Sequence, residues 1–201
     1  MKQINNKVIL ILLFSVAIAL NSNANSIVVK DNTGFHSDNK PVLFLRDFFK
    51  WYKTKFDYLD HHVFYVAMDL KTNAPYRINL SETEKYLSVL QSSGFFSDNY
   101  ILNYKSYFKK IDLTLQKTKQ NDGTVDGLDY DLIMHNQEPE SILKNLNNIR
   151  LSVLKSTTSY VTVKMTTPFD RDTYQLFYLK NSEGRYLIDK IEFYIGGKVQ
   201  E

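Results

Sequence analysis

The hydrophobic pattern is strongest in the stretch PVLFLRDFFKWYKTKFDY, which runs from Pro41 to Tyr58. Large apolar side chains recur there at steps of three and four residues, with charged residues at most positions between them. The repeating positions are Leu45, Phe48, Phe49, Tyr52 and Phe56. This period predicts an amphipathic helix. Since a large apolar side chain contributes about 1.5 to 3 kcal/mol when it is fully buried, we expect the rest of the chain to fold around this aromatic face.

Further helices are predicted between residues 81 and 146. Ser81 and Glu84 have the spacing of a capping box and open the first of them, which Gly94 ends. Ser97 opens the second, and Pro139 opens a short third. The second of these helices carries large side chains at helical steps: Tyr100, Ile101, Tyr104, Tyr107, Phe108 and Ile111.

From Ile149 onward the hydrophobic period changes from 3.6 to 2, which is typical of β-strands. Strands are predicted at residues 149–153, 161–165, 174–180 and 185–195. The turn from Asn181 to Gly184 joins the last two, with glycine where a positive φ is needed. Helices followed by a four-strand antiparallel meander predict an α+β fold, in which the sheet curves around the opening helix.

The first 24 residues have the pattern of an export signal. Lys2 and Lys7 precede an apolar run from Val8 to Leu20, and small residues follow at Ser22 and Ala24. We expect cleavage after Ala24, because the apolar run is shorter than the roughly 20 residues that span a bilayer. The intact mass of exported protein would check this, and retention of residues 1–24 in the membrane fraction would contradict it.

The predicted organisation is a signal peptide at residues 1–24, a flexible lead-in at residues 25–40 and a single α+β domain at residues 41–201. The chain has no Cys, so the cleavage site offers no position for lipidation. We therefore expect a periplasmic or secreted protein that has no stable membrane anchor once the signal is removed.

The net charge excludes one class of partner. Cleavage removes 24 of the 201 residues, including two lysines, so the formal net charge falls from +3 to +1. Proteins that bind nucleic acid carry a larger basic excess. The Lys residues interleaved with Tyr on the second capped helix, at positions 105, 109 and 110, are therefore interpreted as a solvated helix face. No nucleic-acid partner is expected.

Candidate metal ligands occur in two places, and neither has the spacing of a known site. An aspartate cluster comprises Asp122, Asp126, Asp129 and Asp131. Its spacing does not match the calcium loop D-x-[DN]-x-[DN]-G, and carboxylates that cap turns are commoner. His61 and His62 are adjacent, so their rings point in different directions and are poorly placed to bind one zinc ion. We expect no metal and no cofactor, and no catalytic motif is found.

Several segments together resemble the YbjP/YqhG-like family of exported bacterial proteins. They are the aromatic first helix, PYRINL before the capped helix, LDYDLIMHNQEPE, and the strand pattern ending in GRYLIDKIEF. The resemblance covers Pro41 to Phe193, although the chain lacks Cys and has Tyr186 where Trp is frequent. It implies a fold of the nuclear-transport-factor-two-like superfamily, a cone of curved sheet wrapped on helices. It also implies a location in the cell envelope, and no enzymatic reaction is established for the family.

The most distinctive part of this resemblance contains Asp129, Asp131 and Gln137. We assign these residues as the candidate ligand-binding site. They stand where a polar loop meets the apolar segment from Leu132 to Met134, which is expected to dock on the core. The alternative is that one aspartate caps this segment by accepting backbone amide hydrogens.

Three classes of function are left open by the sequence. The favoured one is a non-catalytic ligand-binding or protein-interaction module of the bacterial cell envelope, with an unknown small ligand or envelope protein as its partner. The second is a small periplasmic enzyme that uses Asp or His side chains in the cone pocket. Its candidate residues are Asp60, His61, His62, Asp129, Asp131 and His135. The third is an inhibitor or immunity-type partner of an envelope hydrolase, which would use an exposed patch.

Overall fold

The aromatic helix, α1, spans Lys40–His61 in a computed structural model that describes residues 39–61, 66–67, 74–121, 125, 127–168 and 170–200. All of its predicted face residues are buried, with Leu45, Phe48 and Tyr52 at 0% exposure. The prediction of an amphipathic helix is therefore confirmed. The predicted signal peptide and residues 25–38 of the lead-in lie outside the described residues.

The elements between α1 and the C-terminal sheet are short strands and helices. Two strands, β1 at Val66–Ala67 and β2 at Arg77–Ile78, pair antiparallel with each other. The helices that follow are α2 at Leu80–Ser92, α3 at Asp98–Thr118 and α4 at Pro139–Lys144. No helix in the described part of the chain combines the length and the apolar character that a membrane span requires.

The helix caps confirm one prediction and correct another. The Ser97 hydroxyl caps α3 by accepting the amide hydrogen of Tyr100 at 3.1 Å, as predicted. The capping box at Ser81 is wrong, because Asn79 caps α2 and accepts the amide hydrogen of Glu82 at 3.3 Å. Asn caps a helix as well as Ser does, so the cap two residues earlier extends the helix without a penalty.

The C-terminal part of the chain forms an antiparallel sheet. Its strands are β3 at Arg150–Ser156, β4 at Tyr160–Thr167, β5 at Asp170–Ser182, β6 at Arg185–Ile195 and β7 at Lys198–Gln200. They pair in chain order, so the meander is confirmed, with β7 as an added fifth strand. Three residues are too few to show a period of 2, which is why the sequence pattern does not reveal β7. With helices preceding the sheet and packing on it, the fold class is α+β.

The core lies where α1 packs against this sheet and against the turn between α2 and α3. Phe48 is at its centre, with ring centroids 5.1 to 6.3 Å from those of its aromatic neighbours. These neighbours are Phe49, Trp51, Tyr52, Phe95, Phe96 and Phe177. Along β4, Val161, Val163 and Met165 are buried, as their alternation predicts. The aromatic face of α1 is thus covered from two sides.

A polar clamp joins β2 to α3. The guanidinium of Arg77 donates to both carboxylate oxygens of Asp112, at 2.9 Å each, and the amide of Ile78 donates to the same carboxylate at 3.0 Å. Hydrogen bonding from Arg77 is the main reason why the pKa of Asp112 is lowered to about 2. The clamp attaches α3 to β2.

Candidate functional site

A groove opens between α3, the loop at residues 127–136 and strand β6. We call it the tyrosine pocket, because its walls carry Tyr100, Tyr104, Tyr107 and Tyr130, together with His135. The rest of the lining consists of Asn103, Leu132, Asp189, Lys190 and Ile191. The cavity volume is about 260 Å³. Aromatic and apolar walls with a few polar groups are the usual composition of a small-molecule site.

Most of the tyrosines come from α3, where positions 100, 104 and 107 share one helix face. The rings of Tyr100 and Tyr104 are stacked, with centroids 4.7 Å apart. The Tyr104 hydroxyl donates to the carbonyl of Leu132, and the Tyr107 hydroxyl donates to the carbonyl of Gly127 at 2.7 Å. These bonds fasten α3 to the loop, so the pocket walls are held in place by contacts within the chain.

Gly127 makes one of these contacts possible. Its φ is +83°, a region that residues with a side chain rarely adopt. A Cβ atom at this position would also collide with the hydroxyl oxygen of Tyr107. Gly127 therefore lets Tyr107 reach the loop backbone and form the pocket wall.

The N-terminal end of α3 is hydrogen-bonded to β6. The Ser97 amide donates to the carbonyl of Ile188 at 3.0 Å, and the Ile188 amide donates to the carbonyl of Phe95 at 2.7 Å. The Ser97 hydroxyl also donates to Asp189 at 2.6 Å. The same serine thus caps α3 and holds the carboxylate of Asp189 at the pocket.

Asp131 organises the turn that forms one wall of the pocket. One of its oxygens accepts the amide hydrogens of Ile133 at 3.0 Å and of Met134 at 2.6 Å. The other accepts the hydroxyl hydrogen of Tyr52 on α1. Burial raises the pKa of Asp131, while the bonds from Tyr52, Met134 and Ile133 oppose that effect. Asp131 is therefore a cap that docks the turn on α1.

The turn from Leu132 to Met134 is docked on the core, as the sequence predicts. The side chains of Leu132, Ile133 and Met134 are 4%, 0% and 2% exposed. The Ile133 carbonyl accepts a hydrogen bond at 3.0 Å from the side chain of Gln175 on β5, which is itself buried. The turn is therefore held by α1 on one side and by the sheet on another.

A second cavity, of about 100 Å³, borders the same turn. Met134 and Asn136 line it, whereas Leu132 and His135 line the tyrosine pocket. Gln175 also lines this second cavity, and its side-chain oxygen accepts no hydrogen bond within the described part of the chain. The turn at residues 131–136 therefore borders both cavities.

His135 ends the turn in a left-handed conformation, with φ of 47°. Its ring stacks on Tyr130 at 5.3 Å and on Phe193 at 5.6 Å between centroids. Burial lowers the pKa of His135 to about 4. The imidazole is therefore neutral at pH 7 and offers the pocket one hydrogen-bond donor and one acceptor.

We expect the stability of the protein to fall as the pH is lowered from 6.5 to 4. In this range the unfolded chain protonates the histidine, whose ordinary pKa is 6.5, while the folded chain keeps it neutral. The contribution of His135 is therefore fully present above pH 6.5 and is lost on the way down to pH 4, with a loss on the order of 2 kcal/mol. Urea unfolding across this range measures it.

The matched variant is His135→Asn, because Asn tolerates a positive φ. It should show a shallower loss of stability between pH 6.5 and 4 than the parent chain. Asp131 changes stability in the opposite direction. Burial destabilises its charged form, which is why its pKa is raised, so protonation of Asp131 at falling pH relieves that cost. Equal slopes for the parent and His135→Asn would contradict the assignment.

The predicted site residues are not gathered in one cavity. Asp131 caps the turn, while the side chains of Asp129 and Gln137 are exposed. None of the three lines either cavity described above. Their assignment as a ligand site stays a prediction, and for Asp131 the capping alternative has direct contacts to support it.

The sequence alone favours a solvated helix face for the mixture of Tyr and Lys on α3. The signal that distinguishes the tyrosines is chemical, because a buried Tyr needs a partner for its hydroxyl and Phe would fill a core equally well. Phe at positions 100, 104 and 107 would preserve the hydrophobic pattern of the helix. The presence of Tyr at all three positions therefore indicates a helix face whose neighbours are polar. The tyrosines thus indicate which face of α3 has polar neighbours, but not which residues those neighbours are.

The candidate metal ligands are only partly described. Asp122, Asp126, His62 and the side chain of His61 lie outside the described residues. In the part of the chain that is described, no three His, Asp or Glu side chains are placed to hold a metal ion.

Comparison with protein-family models, with curated proteins and with solved structures finds no match to this chain. The resemblance carried by PYRINL and LDYDLIMHNQEPE therefore stays a prediction.

Proposed function

We propose that the chain is a non-catalytic binding module of the cell envelope, and that its tyrosine pocket holds a small and largely apolar molecule. The observation that carries this proposal is the tethering of the pocket walls: Tyr104 and Tyr107 are hydrogen-bonded to the loop backbone. A pocket whose walls are already ordered loses little conformational entropy when a ligand binds. The export pattern at residues 1–24 supports the envelope location.

The fold that we propose is the cone of the nuclear-transport-factor-two-like superfamily. An antiparallel meander that follows its helices in sequence, with α1 packed on β3 and β4, supports it. Bulges occur in β3, in β4 and in the pairing of β5 with β6. Bulges of this kind bend and twist strands, which is the feature that a curved sheet requires.

An enzyme that uses Asp131 or His135 is the alternative, since both groups have shifted pKa values near a pocket. The contacts argue against it. Both oxygens of Asp131 are engaged in holding the turn and α1. With a pKa of about 4, His135 is too weak a base to take up protons efficiently near pH 7.

A protein partner that docks on an exposed apolar patch is also less well supported. The large exposed apolar side chains of the described residues are spread over three helices and four strands, for example Leu43 on α1, Leu113 on α3 and Leu154 on β3. Scattered exposed side chains of this kind are normal for a protein surface. The tyrosine pocket is the better candidate for the site of function.

Blocking the pocket mouth tests the proposal. Asn103 is an exposed lining residue on α3, so Asn103→Trp should fill the groove without disturbing the core. The probes are choline and its uncharged isostere 3,3-dimethylbutan-1-ol, titrated into the labelled protein while amide chemical shifts are followed. We expect at least one probe to shift pocket amides such as those of Leu132 and Ile191, and Asn103→Trp to weaken binding by about tenfold or more, which corresponds to about 1.4 kcal/mol.

The matched control is Leu102→Trp, which places the same side chain at the neighbouring exposed position, outside the pocket lining. This variant should bind as the parent does. If neither probe shifts pocket amides, or if Asn103→Trp binds as well as Leu102→Trp, the proposed function is wrong.

A further inference from the structure

The charged groups at the tyrosine pocket favour a positive ligand. Its titratable lining residues, besides the tyrosines, are His135, Asp189 and Lys190. His135 is neutral at pH 7 because burial lowers its pKa to about 4. Lys190 pairs with Glu192, with the ammonium nitrogen 2.5 Å from a carboxylate oxygen. Asp189 is therefore the lining charge that no cation balances among the described residues.

The hydrogen-bond partners of Asp189 are uncharged donors. Its oxygens accept from the Ser97 hydroxyl at 2.6 Å, from the Asn99 amide at 3.4 Å and from the Tyr160 hydroxyl at 3.4 Å. These bonds hold the carboxylate in place without neutralising it. An anionic ligand would be repelled at this position, whereas a cation would be attracted.

Two more carboxylates act on the pocket from behind its walls. The negative charge of Asp131 contributes to raising the pKa of Tyr104, after the larger effect of burial. Asp129 contributes in the same way at Tyr107, again after burial. Tyr104 and Tyr107 therefore stay protonated and neutral at pH 7.

The aromatic walls favour the same kind of ligand. The face of a tyrosine ring carries negative charge density, so a cation within about 6 Å of the ring centre is attracted to it. Alkylammonium groups suit such a pocket especially well, because their methyl or methylene groups pack on apolar walls while the charged centre contacts the faces of the rings. Four tyrosines line a volume of about 260 Å³, which exceeds that of one such group.

An independent observation comes from Tyr100. Its side chain is 2% exposed and lines the pocket. Its hydroxyl is directed to the hydroxyl oxygen of Tyr104, and its own oxygen accepts no hydrogen bond among the described residues. The neighbouring Tyr104 directs its own hydrogen to the carbonyl of Leu132. A buried hydroxyl oxygen that accepts no hydrogen bond has lost an interaction that it makes in water, so a ligand that approaches its lone pairs restores one.

We propose that the ligand of the tyrosine pocket is a small organic cation of the alkylammonium class, with its charged nitrogen among the tyrosine rings and near Asp189. The Tyr100 hydroxyl oxygen then faces the polarised hydrogens around that nitrogen. This inference rests on the proposed function, because it names the ligand class of the same pocket.

Comparing the two probes separates this inference from the proposed function. Choline and 3,3-dimethylbutan-1-ol have the same shape and differ in the charge at the quaternary centre. We expect choline to bind at least about tenfold more tightly to the full chain, a factor that corresponds to about 1.4 kcal/mol. Equal affinities, or tighter binding of the alcohol, would overturn the cation inference and leave the proposed function standing. Binding of neither probe would overturn both.

A charge variant provides the second readout. Asp189→Asn keeps an oxygen that can accept from Ser97, so α3 stays capped and attached to β6. It should weaken choline binding by about threefold or more and weaken binding of the alcohol by less. The control, Asp47→Asn, removes one negative charge from an exposed side chain on α1 that pairs with Lys50. If Asp189→Asn affects choline no more than Asp47→Asn does, Asp189 is not part of the cation site.

Discussion

Replacing Phe48 with alanine is expected to lower the free energy of unfolding by about 3 to 5 kcal/mol. The side chain is 0% exposed and touches aromatic rings from α1, from the turn between α2 and α3 and from β5. Removing the ring takes away apolar contacts with all three and leaves a cavity that rigid neighbours cannot fill. Urea unfolding followed by far-ultraviolet circular dichroism measures the change.

The control for Phe48→Ala is Leu43→Ala on the same helix. Leu43 is 49% exposed, so its truncation should change stability by less than about 0.5 kcal/mol. Comparable losses for the two variants would mean that burial of the Phe48 ring is not what makes α1 important for stability. The aromatic face would then not be the centre of the core.

Replacing Asp131 with alanine is expected to cost about 3 kcal/mol, because it leaves donors without an acceptor inside the fold. The donors that lose their acceptor are the amides of Ile133 and Met134 and the hydroxyl of Tyr52. Asp131→Asn should stay within about 1 kcal/mol of the parent chain, since the amide oxygen still accepts from both backbone amides. Thermal and urea unfolding at pH 7 measure both variants.

The sign of the Asp131→Asn effect follows from the raised pKa of Asp131. A carboxyl whose pKa is higher in the folded than in the unfolded chain destabilises the fold when it is charged, so the neutral amide removes that cost at pH 7. Asp129→Asn, at an exposed position, serves as the control and should leave stability unchanged. If Asp131→Asn is as damaging as Asp131→Ala, the charge itself is required and Asp131 is more than a cap.

The parts of the fold that could be predicted are those in which a local hydrophobic period marks the same residues that the structure buries. The face of α1 was predictable because helix geometry alone brings Leu45, Phe48 and Tyr52 to one side. Strand alternation in β4 was predictable for the same reason. The cap of α2 was not, because Asn79 and Ser81 are equally good caps and only the packed structure selects between them.

The candidate site was less predictable, because each of its parts has an ordinary local explanation. The sequence drew attention to Asp131 and its turn, and the turn is indeed docked on the core. It did not indicate that Tyr104 and Tyr107 reach the backbone of that loop, since those contacts join residues that are 28 and 20 positions apart. A helical period shows which residues share a face and carries no information about what that face meets.

The sequence by itself determined the α+β class, the aromatic face of α1 and the antiparallel meander, because these depend on periods of 3.6 and 2 that are visible within a few residues. Only the tertiary structure decided that α3, the turn at Asp131 and β6 enclose a pocket. It also decided that His135 is stacked between two rings and that Asp189 lines the same pocket as the tyrosines. These features depend on contacts between distant segments, and such contacts form only when the elements pack together.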